Sequence, residues 1–176
     1  MSAHDAARPN LPPLPSNDRW RAVYTRRYEL NAPAEYARHW VLEHGIGPTS
    51  APPSPRIRQS IDRLGPDSAI VRLDFVDGSS RTDLWAFSDP GEVTVTKRLD
   101  ERGRTELWSR ERYRFTGAGA ASLLEISAAR YPVTTKARLA LRLSLRTPTR
   151  PEADERAMCR EIEHDYQRAA ASGTTV

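Results

Sequence analysis

The 176 residues, 38% hydrophobic and 28% charged with a mean hydropathy of -0.66, suit one domain and leave no room for a second. The single cysteine, Cys159, excludes an internal disulfide and a multi-cysteine metal site and points to a cytoplasmic setting. Neither a basic stretch leading into an apolar core nor a run of about 18 apolar residues is present, so export and membrane insertion are not expected.

The net charge of +4 comes from 27 basic and 23 acidic residues, and every base except Lys97 and Lys136 is arginine. A sequence pI near 9.6 leaves room for a polyanionic partner. The arginines are, however, spread through the chain and interleaved with acids, as in Arg110-Glu111-Arg112 and from Arg102 to Glu106. That is the pattern of a solvated face rather than of a phosphate-tracking patch.

Residues 1–18 carry Pro9, Pro12, Pro13 and Pro15 with few large apolar side chains, and read as an extended tail ahead of a domain spanning 19–172. From Trp20 to Leu30, Trp20, Ala22, Tyr24, Tyr28 and Leu30 alternate with Arg21, Thr25, Arg27 and Glu29, which predicts a half-buried strand. Asn31 offers an N-cap and Pro33 a first helical turn, after which Ala37, Trp40, Val41 and His44 recur at helical spacing up to Gly45. Pro48, Pro52, Pro53 and Pro55 then exclude regular structure. Between residues 56 and 131, β-like runs alternate with the turn signals Gly65-Pro66-Asp67, Asp77-Gly78, Asp89-Pro90-Gly91, Arg102-Gly103 and Gly117-Ala118-Gly119. Six strands follow: Arg56 to Leu64, Ala69 to Val76, Arg81 to Ser88, Glu92 to Asp100, Thr105 to Thr116 and Ala121 to Tyr131. Runs of that length must twist and curl. Residues 133–147 fit either a strand, from the alternation of Leu139, Leu141, Leu143 and Leu145, or a helix, from their composition; the helix is preferred. Pro151 to Ala171 reads as a long helix with Glu152, Asp154 and Glu155 at its positive end and Met158, Ile162, Tyr166 and Ala169 on one face.

Strand, short helix, six-strand meander and long C-terminal helix, together with the phrase Tyr28-Glu29-Leu30-Asn31-Ala32-Pro33-Ala34-Glu35, resemble the START/Bet v 1-like helix-grip superfamily, which includes polyketide cyclase and dehydrase-like proteins. The resemblance implies an α+β fold, a seven-stranded antiparallel curved sheet around the C-terminal helix. It also implies an apolar cavity for an aromatic, polyketide, steroid or lipid ligand, and no cofactor. That superfamily has no universal catalytic motif, so no catalytic residue transfers by position.

Polar side chains on the inward face of a strand are informative, because burying them costs free energy unless they are paired. Leu107, Ser109, Glu111, Tyr113 and Phe115 share one face of their run. Glu111 in a low-dielectric cavity would have its pKa raised and serve as general acid or base; it would otherwise pair with an inward arginine or lie in solvent. Arg26, between Tyr24 and Tyr28, is placed to bind a ligand carboxylate or enolate, or to neutralise Glu111. Tyr24, Tyr28, Tyr113 and Tyr131 offer hydroxyls to a ligand or fill the core. Gln59 lies between Ile57 and Ile61, and Lys97 between Val95 and Leu99, with a stem long enough to snorkel out. The helix face of Met158, Ile162 and Tyr166 would close the pocket. Asp83, sharing a face with Trp85 and Phe87, is a reserve acid. Of the histidines, His4 lies in the tail, His39 and His164 fall off the apolar helix faces and His44 sits at a helix end, so no metal site is expected.

His-Glu-x-x-His, a strand-to-helix phosphate loop and Gly-x-Ser-x-Gly are all missing from the sequence, which argues against zinc chemistry, nucleotide hydrolysis and serine hydrolysis. Three functions remain: a cofactor-independent cyclase or dehydratase acting in a cavity, a carrier or sensor with the same cavity, and a basic adaptor for RNA or an acidic protein. Steep salt dependence would mark the third.

Overall fold

The computed structural model describes residues 14–16, 19–47, 57–144 and 149–173, so the predicted tail up to residue 13 and the proline-rich crossing at 48–56 lie outside the described residues. The chain runs β1 (Arg21–Leu30), α1 (Ala34–Ile46), β2 (Arg58–Gly65), β3 (Ser68–Asp74), β4 (Ser79–Ala86), β5 (Glu92–Glu101), β6 (Arg104–Thr116), β7 (Ser122–Pro132), α2 (Thr135–Ser144) and α3 (Thr149–Ala171). All seven strands join one antiparallel curved sheet in the order β1-β7-β6-β5-β4-β3-β2. Each predicted strand is present, with ends displaced by no more than a few residues.

Turn chemistry sets those ends. Asp77 Oδ1 accepts from the Ser79 backbone N–H at 2.9 Å and from its hydroxyl at 2.6 Å, while Gly78 takes φ 80° between β3 and β4. Arg102 and Gly103, at φ 51° and 75°, turn β5 into β6 with both residues left-handed, as a two-residue hairpin of this twist requires.

Two local expectations are corrected. Asn31 does not cap α1: Pro33 is the N-cap residue, without a side-chain bond, and Asn31 instead donates from its backbone N and its Nδ2 to Glu163 of α3 at 2.8 and 3.1 Å. A β-bulge between Ala22 and Tyr24 sets those two on opposite sheet faces, which breaks the expected single stripe from Trp20 to Leu30. Residues 135–144 form the helix preferred over a strand. Thr134 Oγ1 accepts from the Ala137 backbone N–H at 3.2 Å, an N-cap bond, and Leu141 is buried while Leu139 and Leu143 are exposed, so the leucine alternation does not track burial.

One core lies between the sheet's inner face and helices α1 and α3. Leu30, Val93, Val95, Leu124, Ile126 and Ile162 are its fully buried large side chains on this face, each contributing about 1.5–3 kcal/mol by leaving water. Trp40 Nε1 donates to Asp165 at 3.0 Å and ties α1 to α3, and Arg38 donates to the Phe87 carbonyl at 2.6 Å at the end of β4. Gly45 lets α1 approach the sheet, because any side chain there would overlap the indole of Trp85. Among the described residues no helix is long and apolar enough to cross a membrane.

Candidate functional site

Cross-strand register places a row of polar side chains on the inner face. Asp83 of β4 stands opposite Lys97 of β5, Lys97 opposite Ser109 of β6, and Glu111 opposite Ala128 of β7, which in turn faces Tyr24 of β1. Period two within each strand keeps Lys97, Glu111 and Tyr113 on this side.

Glu111 faces inward, as its strand pattern predicts, but its partner is a lysine. Lys97 Nζ lies 2.7 Å from Glu111 Oε2, and the Tyr113 hydroxyl donates to the same oxygen at 2.7 Å. Burial raises the Glu111 pKa; the Lys97 charge and hydrogen bond and the Tyr113 hydrogen bond outweigh it, and the net displacement is downward. The raised pKa expected of Glu111 is thereby corrected: it is a held carboxylate. Lys97 does not snorkel away, because Glu111 is within reach across one strand. Burial, and then the Glu111 charge and hydrogen bond, drive the Tyr113 phenol far up.

The acid with the raised pKa is Asp83. Its Oδ2 pairs with Arg81 Nη2 at 2.9 Å and Nε at 3.1 Å, while its Oδ1 is buried with no hydrogen-bond partner. Asp83 is 3% exposed. Burial raises its pKa against the lowering effects of Arg81 and Lys97. Two residues along the same face, Trp85 Nε1 is also buried without a partner. An orphaned acceptor and an orphaned donor thus share one face of β4.

A third group joins β1 to α3. Glu155 Oε2 accepts from Arg26 Nη1 at 3.1 Å and from the Tyr28 hydroxyl at 2.6 Å, and the Arg26 guanidinium stacks 4.0 Å from the Tyr24 ring centroid. Burial and the Glu155 carboxylate push the Tyr28 phenol up to about 12. Tyr24 moves further up, through burial, then Glu155, with Glu111 adding from the other side. Arg26 therefore neutralises Glu155 rather than Glu111. Sequence reasoning placed Glu155 only in the acidic first turn; its signal was helical spacing, since 155, 159, 162 and 166 form one face of α3.

Among the other expected site residues, Ser109 and Gln59 lie half-buried on the inner face, Gln59 at the β2 edge opposite Leu73. Ile162 is fully buried, Met158 packs on the core, and Tyr166 packs against Tyr36 at 5.0 Å between ring centroids. Tyr131 is not brought to them. It lies opposite Trp108 on the outer face and packs against Trp20, because its odd position in β7 points away from Leu124, Ile126 and Ala128. His44 Nδ1 lies 2.9 Å from the Trp40 carbonyl, and its ring stacks on Trp40. Among the described residues no three His, Cys, Asp or Glu side chains are grouped to hold a metal ion.

No protein-family model and no curated protein matches the sequence. Solved structures do. The di-domain aromatase/cyclase StfQ from the steffimycin biosynthetic pathway aligns with a TM-score of 0.61 and 10% identity over 88% of this chain. The chain spans about half of StfQ, 53% of its length. ZhuI aromatase/cyclase from Streptomyces sp. R1128 aligns at 0.55 with 14% identity, over 89% of this chain and 99% of its own. Norcoclaurine synthase from Thalictrum flavum, in complex with dopamine and hydroxybenzaldehyde, aligns at 0.54 with 13% identity, over 89% and 96%. The chain has the helix-grip fold of these structures. Between the sheet and α3, the three carboxylates Asp83, Glu111 and Glu155 each pair with a cation, Arg81, Lys97 and Arg26.

Proposed function

We propose that the chain binds an aromatic or polyketide-like small molecule between the inner face of the sheet and α3, and promotes its cyclisation or dehydration without a cofactor. The observation that carries this reading is the polar row itself. A sheet face built only for stability would place aliphatic side chains there, since a buried ion pair seldom stabilises more than a hydrophobic replacement. Lys97 and Glu111, at the middle of the sheet, each keep 23% of their side-chain surface accessible, which supports room beside them for a ligand. The proteins of like fold also support it, two of them named as aromatase/cyclases and the third holding two small aromatic molecules.

Each group then has a role. Asp83, whose burial favours the protonated form, donates a proton to a departing hydroxyl. Glu111, held ionised, accepts one from a carbon or phenol. The unpartnered Trp85 N–H orients a carbonyl oxygen, the phenol oxygens of Tyr24 and Tyr113, whose protons go to Glu155 and Glu111, accept from a ligand hydroxyl, and Arg26 and Gln59 lie further along the same face. Held orientation alone supplies up to about 7–11 kcal/mol of a barrier, and a positioned acid or base about 10²–10⁴ in rate. The lowered pKa of Glu111 favours a second reading, a carrier with the same interior and no chemistry.

Native mass spectrometry of protein purified from its own host is expected to release an aromatic compound. Glu111→Gln and Asp83→Asn should keep that compound and lose its conversion. Retention with no conversion by the unmodified protein leaves the carrier, and an inner face packed solid by its own side chains overturns both readings.

A further inference from the structure

At the end of β1 and β7 farthest from α1, Arg19 and Trp20 ahead of β1, its first residue Arg21, the last residues of β7 and one side of α2 line a pocket of about 440 Å³, inside the usual range for small-molecule sites. Its rim carries Arg19, Arg21, Arg138 and Arg142, all exposed, and no carboxylate lines it. Among the described residues none of these four guanidiniums makes an ion pair, although arginines elsewhere are matched to acids, as Arg27 is to Glu125, Arg112 to Glu92 and Arg156 to Glu152. Four like charges gathered round one hollow repel one another, and an anion seated among them relieves that repulsion.

The wall is apolar. Trp20, Pro132 and Leu141 form it. Trp20 is held in place from two sides, with the Tyr131 ring 6.2 Å away between centroids and the Arg110 guanidinium 4.4 Å from its ring centroid. Arg110 adds a fifth positive charge behind the indole. Guanidinium forks match the oxygens of a phosphate two at a time, and several such forks suit a dianion better than a single carboxylate.

We propose that this pocket is a binding site, separate from the inner polar row, for a phosphate monoester whose phosphate lies among Arg19, Arg21, Arg138 and Arg142 and whose apolar body lies against Trp20, Pro132 and Leu141. The same chemistry reaches the protein either as a free organic phosphate or as a lipid headgroup. Leu139 and Leu143, 59% and 57% exposed on α2 beside the two arginines, are positioned to touch the acyl region in the second case.

Titration calorimetry with phenyl phosphate on the full chain tests the site. One saturable site is expected, with inorganic phosphate at least several-fold weaker because it leaves the apolar wall uncovered. Arg138→Ala/Arg142→Ala should weaken phenyl phosphate tenfold or more, and the lysine pair should restore it only in part. Both positions are exposed, so the melting temperature of the variant should match the parent and exclude misfolding as the cause. Arg58→Ala, an exposed arginine on β2 outside the pocket, should leave binding unchanged. Co-sedimentation with phosphatidic acid vesicles, but not with neutral phosphatidylcholine vesicles, assigns the lipid source; phenyl phosphate binding without co-sedimentation assigns the free ester. Absence of phenyl phosphate binding at millimolar concentration, equal binding by the double alanine variant, or an equal loss in Arg58→Ala would each overturn the proposal.

Discussion

Glu155 is the residue on which β1 and α3 meet, and its removal leaves Arg26 and Tyr28 without their shared acceptor. The side chains of Arg26 and Glu155 are 17% and 10% exposed, so the ion pair is only weakly screened by solvent. Glu155→Ala is therefore expected to cost about 3–5 kcal/mol in urea unfolding, because it removes the carboxylate that Arg26 and Tyr28 share, whereas Arg26→Met combined with Glu155→Leu should recover most of that loss. Equal destabilisation in single and double variants would contradict the pairing. Asp83 and Glu111 predict opposite pH behaviour. The folded pKa of Asp83 is raised by burial, so its contribution to stability is present at low pH and is lost as pH rises through the folded value. Asp83→Asn should melt above the parent at neutral pH, and its advantage should shrink on acidification. The folded pKa of Glu111 is lowered, despite burial, by Lys97 and Tyr113, so its contribution is present at neutral pH and is lost as pH falls through the folded value. Glu111→Gln should melt several degrees below the parent at neutral pH and converge with it in acid. At this scale the sequence was legible in part: alternation placed Glu111, Arg26, Tyr24, Tyr28 and Tyr113 on one face, but which cation met which acid depended on register and helix rotation, and one bulge or one odd position was enough to misplace Ala22 or Tyr131.

Elements were more legible than contacts, because their ends are written in turn residues. Asp77-Gly78 and Arg102-Gly103 needed no tertiary information, since the left-handed backbone of Gly78, Arg102 and Gly103 is a local demand. Residues 133–147 were ambiguous for the opposite reason: alternating leucines signal a strand only if burial alternates with them, and here Leu139 and Leu143 face solvent. The deciding local mark was Thr134, three residues before the N–H it caps. Helix placement depends on a different local feature, the absence of a side chain at Gly45. Gly45→Ala puts a methyl into the Trp85 indole and must push α1 away from β4 or turn the ring. A loss of about 1–3 kcal/mol is expected, together with a change in the near-ultraviolet dichroism of Trp85. If the substitution instead stabilised α1, as alanine does in an open helix, the close approach of α1 to the sheet would be refuted.

Across the molecule, α3 is held by its buried stripe, and Cys159 reports on it. The thiol is 7% exposed, and burial, with Glu163 and Glu155 adding to it, pushes its pKa up to about 11. At pH 8 that leaves about a hundredfold less thiolate than in an ordinary cysteine. Labelling by a thiol reagent should accordingly proceed only as α3 leaves the sheet, and its rate in rising urea should follow global unfolding. Fast labelling of native protein would mean that the helix is gripped loosely.

The pairing of β1 with β7 joins residues 21–30 to residues 122–132 across the rest of the sheet. Each of the other strand pairs links chain neighbours through a short connection and can zip as soon as it forms. During synthesis, the earliest strand to emerge must therefore wait unpartnered until about a hundred further residues have been made. Its Tyr24, Arg26 and Tyr28 meet Glu155 only after α3 follows, so the polar groups begun by Lys97, Glu111 and Tyr113 on neighbouring strands are completed by the most distant parts of the chain.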